Sequence, residues 1–273
     1  MLKKIVDVSL KLKMPFLANM AVNYASKKRG DGIKIVYHKN LWLHKTDIQD
    51  IVDFTPKHIM TNKKLKWIMD EIYFKHYLPK EGDVCIDVGA GIGTESIFMS
   101  KKIGTTGVVH AIEAAQHTYN VLEENVKVNN CKNVQCHQLA ISNNNESVSI
   151  SSDLQGHIMN RLGTTTENGM TEVNGIRMDD FMKKIGAIKV DYLKVNIEGA
   201  EQLMIEAFET INQVKNIAIS CHDFLGKREN NDWLFTRKKV TQFLLDNNFE
   251  IHSQETGLDY LDDWIYGVNK NFN

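Results

Sequence analysis

Three short stretches of this sequence gather the residue types that chemistry needs. The first is Asp87-Val-Gly89-Ala90-Gly91-Ile-Gly93-Thr94-Glu95, which follows the β-branched run Asp83-Val-Cys-Ile86. A buried strand that runs into alternate glycines makes a tight turn and lets a ligand approach the backbone closely. The helix that follows aims its free N–H groups and positive dipole end at that ligand. The second stretch, Leu193-Lys-Val-Asn196-Ile-Glu198-Gly199-Ala-Glu201, again takes a strand into polar groups and a glycine before a helix. In the third, Asn216-Ile-Ala-Ile-Ser-Cys-His222-Asp223, a strand ends on a base and an acid. The pattern is that of a nucleotide-type cofactor site with proton-transfer groups beside it.

The spacing bears on which cofactor. A dinucleotide fingerprint reads G-x-G-x-x-G, whereas these glycines run G-x-G-x-G and Thr94 stands where the third fingerprint glycine would be. Asp87, two residues before the first glycine, would repel a pyrophosphate but suits an ammonium or a sulfonium. Glu113 lies 20 residues beyond Gly93, at the end of the strand-like run Gly107-Val-Val-His-Ala-Ile. A carboxylate there can accept both hydroxyls of a ribose.

These groups need a scaffold, and the alternation of patterns supplies one. Strand-like runs end at Asp87, Glu113, Ile141, Asn196 and His222, with helical segments after each except Ile141, where the alternation breaks into a turn and a further strand. Such alternation builds a parallel sheet with right-handed crossovers, and ligands bind outside the strands' carboxyl ends. Glu250 to Ser253 and Trp264 to Val268 read as closing strands, and Asp232 to Asp246 as a helix before them. Upstream, Ile33 to Leu43 alternates around Lys39-Asn40 as a β-hairpin, while Asp47 to Phe54 and Lys63 to Tyr77 read as helices. Ser147 to Ser152 and Val173 to Met178 read as pairing strands around a polar loop, Asp153 to Glu172, which carries His157 and Arg161.

The first thirty residues hold Lys3, Lys4, Lys11, Lys13, Lys27, Lys28 and Arg29 against the single acid Asp7. Apolar residues fall near helical spacing on both sides of Pro15, giving two short helices. The segment reads as a terminal helix pair packed on its own domain, with contact to a membrane surface as the alternative. Lysines interrupt every apolar run, so no transmembrane span is expected, and no cleavage site follows an apolar core. A net charge of −1 over 273 residues does not favour nucleic acid as a partner. Four cysteines without a paired framework read as free thiols in a reducing, cytoplasmic setting.

With these stretches in hand, the chain resembles the FkbM-type S-adenosylmethionine (SAM) dependent methyltransferases. The matching residues are Gly82 to Gly93, Ala111-Ile-Glu113, Asn125 with Asn129-Asn130, Asn133-Val134 with Ala140-Ile-Ser142, and Leu193 to Glu201. The resemblance runs from about Ile33 to the C-terminus and departs from the family at Asn196, where the family usually has Asp. It implies an α/β class I methyltransferase (Rossmann-like) fold, a mostly parallel seven-stranded sheet with helices on both faces. On this reading residues 1–78 form a small helical and hairpin cap, and 79–273 the SAM-dependent methyltransferase domain. Cofactor contacts are then expected from Asp87, Gly89, Ala90, Gly91, Gly93, Thr94, Glu95, Glu113, Ala140 and Asn196. The implied reaction is O-methylation of a hydroxyl on a sugar, glycolipid, polyketide or similar metabolite.

A hydroxyl is a poor nucleophile, since even bulk water has a pKa of about 15.7, so a residue must take its proton. Catalysis is expected from His222 and Glu198, with His222 the natural base because an ordinary imidazole titrates near neutral pH. A histidine merely satisfying a strand-end hydrogen bond is the bland alternative. No metal is expected; a divalent ion on Asn196, His222 and Asp223 is the weaker alternative, because the Asn196 amide brings no charge. All three prolines precede residue 80, so the proline-bearing active-site turns of DNA methyltransferases are excluded by residue type. An NAD-dependent oxidoreductase and a non-catalytic SAM-fold binding module remain as rivals.

Overall fold

The protein is described here by a computed structural model covering residues 2–30, 33–56, 60–151, 162–163 and 170–272. The chain opens with α1 (Leu2–Lys11) and α2 (Pro15–Arg29), broken where Pro15 can start a helix but not continue one. Next come β1 (Lys34–His38) and β2 (Leu41–Lys45), joined through Lys39 and Asn40 at φ +47° and +65°. Two left-handed residues in a two-residue loop match the twist of a hairpin. The side chain of Asn23 on α2 docks onto β1, donating to the Ile35 carbonyl and accepting from its N–H.

A third strand, β3 (Ile51–Asp53), completes this small antiparallel sheet in the order β1-β2-β3. A helix was expected over residues 47–54. Thr46 instead folds its hydroxyl onto the N–H groups of Ile48 and Gln49, and the β-branched pair Ile51-Val52 then extends along β2. The helix expected from Lys63 is shorter than its pattern. Thr61 caps α3 (Asn62–Ile68), and a π-helical turn, Met69–Tyr73, ends it.

The remainder is one large sheet and its helices. In chain order come β4 (Val84–Val88), α4 (Thr94–Ile103), β5 (Val108–Ile112), α5 (Gln116–Val128) and β6 (Val134–His137). A side sheet follows, made of β7 (Ala140–Ser142), β8 (Ser147–Ser151), β9 (Leu162–Gly163) and β10 (Met170–Arg177). The chain then passes through α6 (Met178–Lys184), β11 (Val190–Val195), α7 (Glu201–Glu206), β12 (Val214–Ser220), α8 (Asp223–Glu229) and α9 (Arg237–Asp246). It closes with β13 (Phe249–Ser253), the short α10 (Asp259–Asp262) and β14 (Trp264–Asn269).

Seven strands lie in the order β13-β14-β12-β11-β4-β5-β6, with only β14 antiparallel to its neighbours. The order reverses at β4, where crossovers leave towards β5 on one side and β11 lies on the other. A crevice must open there at the carboxyl ends. Successive residues of β4 feed opposite faces. Cys85 packs with Leu65, Ile97 and Leu122 from α3, α4 and α5, while Ile86 packs with Phe181, Met204 and Leu244 from α6, α7 and α9. Helices therefore cover both faces of a buried sheet. Leu43, Ile51, Val52 and Phe74 belong to the first of these clusters, so the small sheet shares its core.

The run read as one strand over 133–141 divides in two. β6 stays in the main sheet, whereas β7 leaves it to pair in parallel with β10, Ala140 opposite Gly175. The expected pairing of the 147 and 173 segments is present, with Val148 opposite Val173. His157 and Arg161 lie outside the described residues. Asp232–Leu234 forms a separate 3-10 turn, and the helix expected from residue 232 starts at Arg237. The four cysteines are free thiols.

Candidate active site

A cavity of about 580 Å³ opens at the strand-order reversal, within the range of ligand clefts. Its wall contains Gly89, Ala90, Gly91, Thr94, Glu95, Glu113, Ala140, Asn196 and Glu198. Three expected site residues are not in that wall: Asp87, Gly93 and His222. Each has a distinct physical reason.

Gly93 sits under Leu122, whose Cδ1 would stand 2.4 Å from an added Cβ; glycine there serves helix packing. The turn itself needs all three glycines, Gly89, Gly91 and Gly93, at φ +71°, +56° and +87°. A Cβ on Gly89 would lie 2.0 Å from the Asn196 carbonyl oxygen, so the glycine turn and the 196–201 turn touch backbone to backbone. Around Gly91 nothing stands within 4 Å of an added Cβ, and its open side is the cavity.

Asp87 is fully buried. Its Oδ1 lies 2.9 Å from the Lys194 ammonium, and its Oδ2 accepts from the Ser96 hydroxyl at 2.6 Å. Lys194 is the residue that reaches the wall, donating also to the Gly89 carbonyl at 2.9 Å, with Tyr73 packed beside it. Burial alone would lower the Lys194 pKa, but Asp87, then Glu95 and Glu113, outweigh it and hold the ammonium above its ordinary value. The Glu95 pKa is raised as well, chiefly by burial, with Lys194 opposing.

The sequence carries a signal for Lys194. A lysine inside the run Val-Asp-Tyr-Leu-Lys-Val, buried at every position, needs a carboxylate partner. β11 pairs with β4 in a register that sets Lys194 directly opposite Asp87. Tyr73, Asp53 and Lys64 also line the cavity. They come from the small sheet and the α3 region, and nothing in their local sequence marks them.

Glu113 lines the cavity with both oxygens engaged. Oε2 accepts from the Gly91 N–H at 3.0 Å and Oε1 from the Ala115 N–H at 2.9 Å. Burial raises its pKa to about 7 even against these donors.

His222 lies behind the wall, 2 % exposed. Its Nδ1 is 3.0 Å from Glu201 and its Nε2 3.6 Å from Glu198. Burial alone would lower its pKa, but Glu201 and then Glu198 outweigh it and raise it to about 10. The shift favours the charged ring. The expected base His222 thus stands behind the cavity wall, paired with two carboxylates.

Glu201 accepts from the N–H groups of Ile197 and Gly199, both at 3.3 Å. It thereby fixes a turn in which Glu198 adopts φ +53°, a left-handed conformation uncommon for glutamate. Asp223 accepts from the N–H groups of Thr236 and Arg237 and so caps α9. Among the described residues no group of three or more His, Cys, Asp or Glu is placed to hold a metal ion.

The strand order and the single reversed strand are those of the class I methyltransferase fold. A family model, the methyltransferase FkbM domain, matches residues 87–251. The chain belongs to the FkbM methyltransferase family. It is similar to Methyltransferase 1 of Beauveria bassiana (strain ARSEF 2860), 24% identical over 165 residues that cover 52% of this chain and 65% of that protein. Among solved structures it is similar to the FkbM methyltransferase of Methylobacillus flagellatus KT, with TM-score 0.47 and 14% identity over 75% of this chain and 50% of that one. It is also similar to Aeropyrum pernix fibrillarin in complex with SAM, with TM-score 0.44 and 15% identity over 86% of this chain and 99% of that one. The chain thus spans just under two thirds of the Beauveria protein and half of the Methylobacillus protein.

Proposed function

We propose that the cavity binds SAM and that the enzyme methylates a hydroxyl of a sugar, glycolipid, polyketide or similar small molecule. The observation that carries the reading is the charge of the wall. Four carboxylates (Asp53, Glu95, Glu113, Glu198) and two amines (Lys64, Lys194) surround a glycine turn whose backbone is open at Gly91. That balance suits a ligand with ammonium and sulfonium groups and opposes the dianionic pyrophosphate of NAD.

In this reading the backbone of Gly89 and Gly91 takes the methionine part. Lys194 faces its carboxylate and Glu95 its ammonium. Asp87 acts one step back, neutralising and aiming Lys194. Glu113 accepts from the ribose hydroxyls, and Ile112, Leu139 and Ile141 offer apolar surface to a purine.

When bound, SAM supplies an electrophilic methyl carbon whose bond to sulfur breaks with the electron pair leaving on sulfur. The chain must orient the acceptor oxygen in line and take its proton. Glu198 is the carboxylate in position, since it lines the cavity and is held by the Glu201–His222 pair. An acceptor proton passes to its free carboxylate oxygen, while His222 stays protonated throughout. A cytoplasmic location is part of this reading, supported by the four free thiols.

Calorimetric titration with SAM and with NAD tests the cofactor, and methyl transfer to a panel of hydroxylated acceptors tests the enzyme against a non-catalytic binding module. Glu198→Gln should lower turnover by about a hundredfold or more, the usual size of a general-base loss, with SAM affinity kept. Near-normal turnover in that variant would remove Glu198 as the base.

A further inference from the structure

The α1–α2 hairpin has two apolar faces, and the fold uses only one. Val6, Ala18 and Val22 point inward and pack with Ile33, Ile35 and Trp42 over the small sheet. On the outside Ile5, Val8, Leu12, Phe16, Met20 and Tyr24 are 45 to 71 % exposed. Their spacing puts Ile5 and Val8 along one stripe of α1, with Leu12 in the turn just past its end, and Phe16, Met20 and Tyr24 along one stripe of α2. A helix pair that merely capped its own domain would carry polar residues there.

Around these stripes stand the exposed lysines Lys4, Lys11, Lys13, Lys27 and Lys28. The whole segment has seven basic residues against one acid, in a chain whose net charge is −1. Neither helix, nor any other described helix, is long and apolar enough to cross a membrane.

We infer that this outer face docks on an anionic lipid bilayer, its apolar stripes entering the headgroup boundary and its lysines meeting lipid phosphates and carboxylates. The combination of an apolar stripe with flanking lysines is what a surface-lying helix needs. A second copy of the chain fits less well, because it would set two strongly cationic faces against each other. The small sheet that carries the hairpin on β1 contributes Ile51 and Asp53 of β3 to the cavity wall. Two strand spacings, about 10 Å, separate those strands, so docking holds the cavity close to the lipid.

The test is co-sedimentation of the full chain with vesicles of phosphatidylcholine alone and of phosphatidylcholine mixed with phosphatidylserine. The protein should pellet with the mixed vesicles at low salt, not with the neutral ones, and added salt should release it. Neutralising one lysine at the surface should lower partitioning about fivefold, so the double variant Lys4→Gln/Lys11→Gln should lose roughly 25-fold. Phe16→Ser/Met20→Ser should also release the protein, with its circular dichroism and SAM titration unchanged. If that variant unfolds, the lysine pair, wholly on the surface, still decides. Failure to pellet with anionic vesicles at low salt would overturn the inference, as would undiminished binding by the lysine variant. Concentration-dependent self-association that Phe16→Ser/Met20→Ser abolishes would overturn it in favour of a second copy. None of these outcomes bears on the cofactor reading, which titration of the same variants reports separately.

Discussion

Two buried cation–carboxylate groups stand at the carboxyl ends of adjoining strands, and they face the cavity in opposite senses. At the glycine turn the carboxylate of Asp87 is hidden and the cation, Lys194, reaches the wall. At the 196–201 turn the cation, His222, is hidden and a carboxylate, Glu198, reaches the wall. The same physical device presents a positive group at one end and a negative group at the other. It lets charge line the cavity without an unpaired charge behind it, which burial would make costly. The two differ in their protons. Lysine between carboxylates keeps its charge across the working range, whereas histidine owes its charge to its neighbours and can lose it.

Removing the lysine should have the largest effect. Lys194→Met leaves Asp87 fully buried with only the Ser96 hydroxyl. Breaking one side of a buried pair costs about 3–5 kcal/mol, to be measured as a fall in unfolding free energy by denaturant titration. Adding Asp87→Asn should return most of that loss, because the uncompensated charge goes with it. If Lys194→Met alone is as stable as the parent, the pair is not the strut that the geometry makes it.

That pair also shows how far the sequence could be read. The succession of strands and the glycine turn were legible because buried β-branched runs, glycine spacing and terminal acids are local signals. Asp87 was seen for the same reason, but its role was not. Its partner lies 107 positions later, and only the register of β11 on β4 puts Lys194 opposite it. His222 is a similar case: its residue type suggests a base, and only the fold brings Glu198 and Glu201 against it. The strand Ile51–Asp53 and its place in the cavity wall depend on docking of the small sheet, which no local pattern encodes.

The histidine group should reveal itself through pH. His222 has an ordinary pKa of 6.5 and is raised to about 10 in the fold. Below 6.5 folded and unfolded chains both hold this proton, so the pairing contributes fully. Between 6.5 and about 10 the unfolded chain releases it and the folded chain does not, so stability falls as pH rises and the contribution is gone above that window. The slope is at most about 1.4 kcal/mol per pH unit. His222→Gln should be less stable at neutral pH, because Glu201 loses its cation, and should lack this slope. Denaturant midpoints at several pH values would check it. A parent protein with flat stability across the window would mean that His222 is neutral in the fold.

Glu113 sharpens the comparison, since it is a wall carboxylate without a cation held directly against it. Its oxygens rest on the backbone N–H groups of Ala115 and Gly91. Burial outweighs these donors and Lys194, so the carboxyl is raised to about 7 and is partly protonated near neutrality. Ribose hydroxyls donate to the charged form more strongly than to the neutral one. On the proposed placement, SAM binding therefore expels this proton wherever it is still held. Affinity should rise with pH up to about 7, by no more than about tenfold per pH unit, and then level off. Glu113→Gln should bind SAM more weakly by about 1.5–3 kcal/mol at neutral pH and without that dependence. Calorimetry in buffers of different ionisation enthalpy counts the released protons directly. Proton release that Glu113→Gln leaves unchanged would take the ribose away from Glu113.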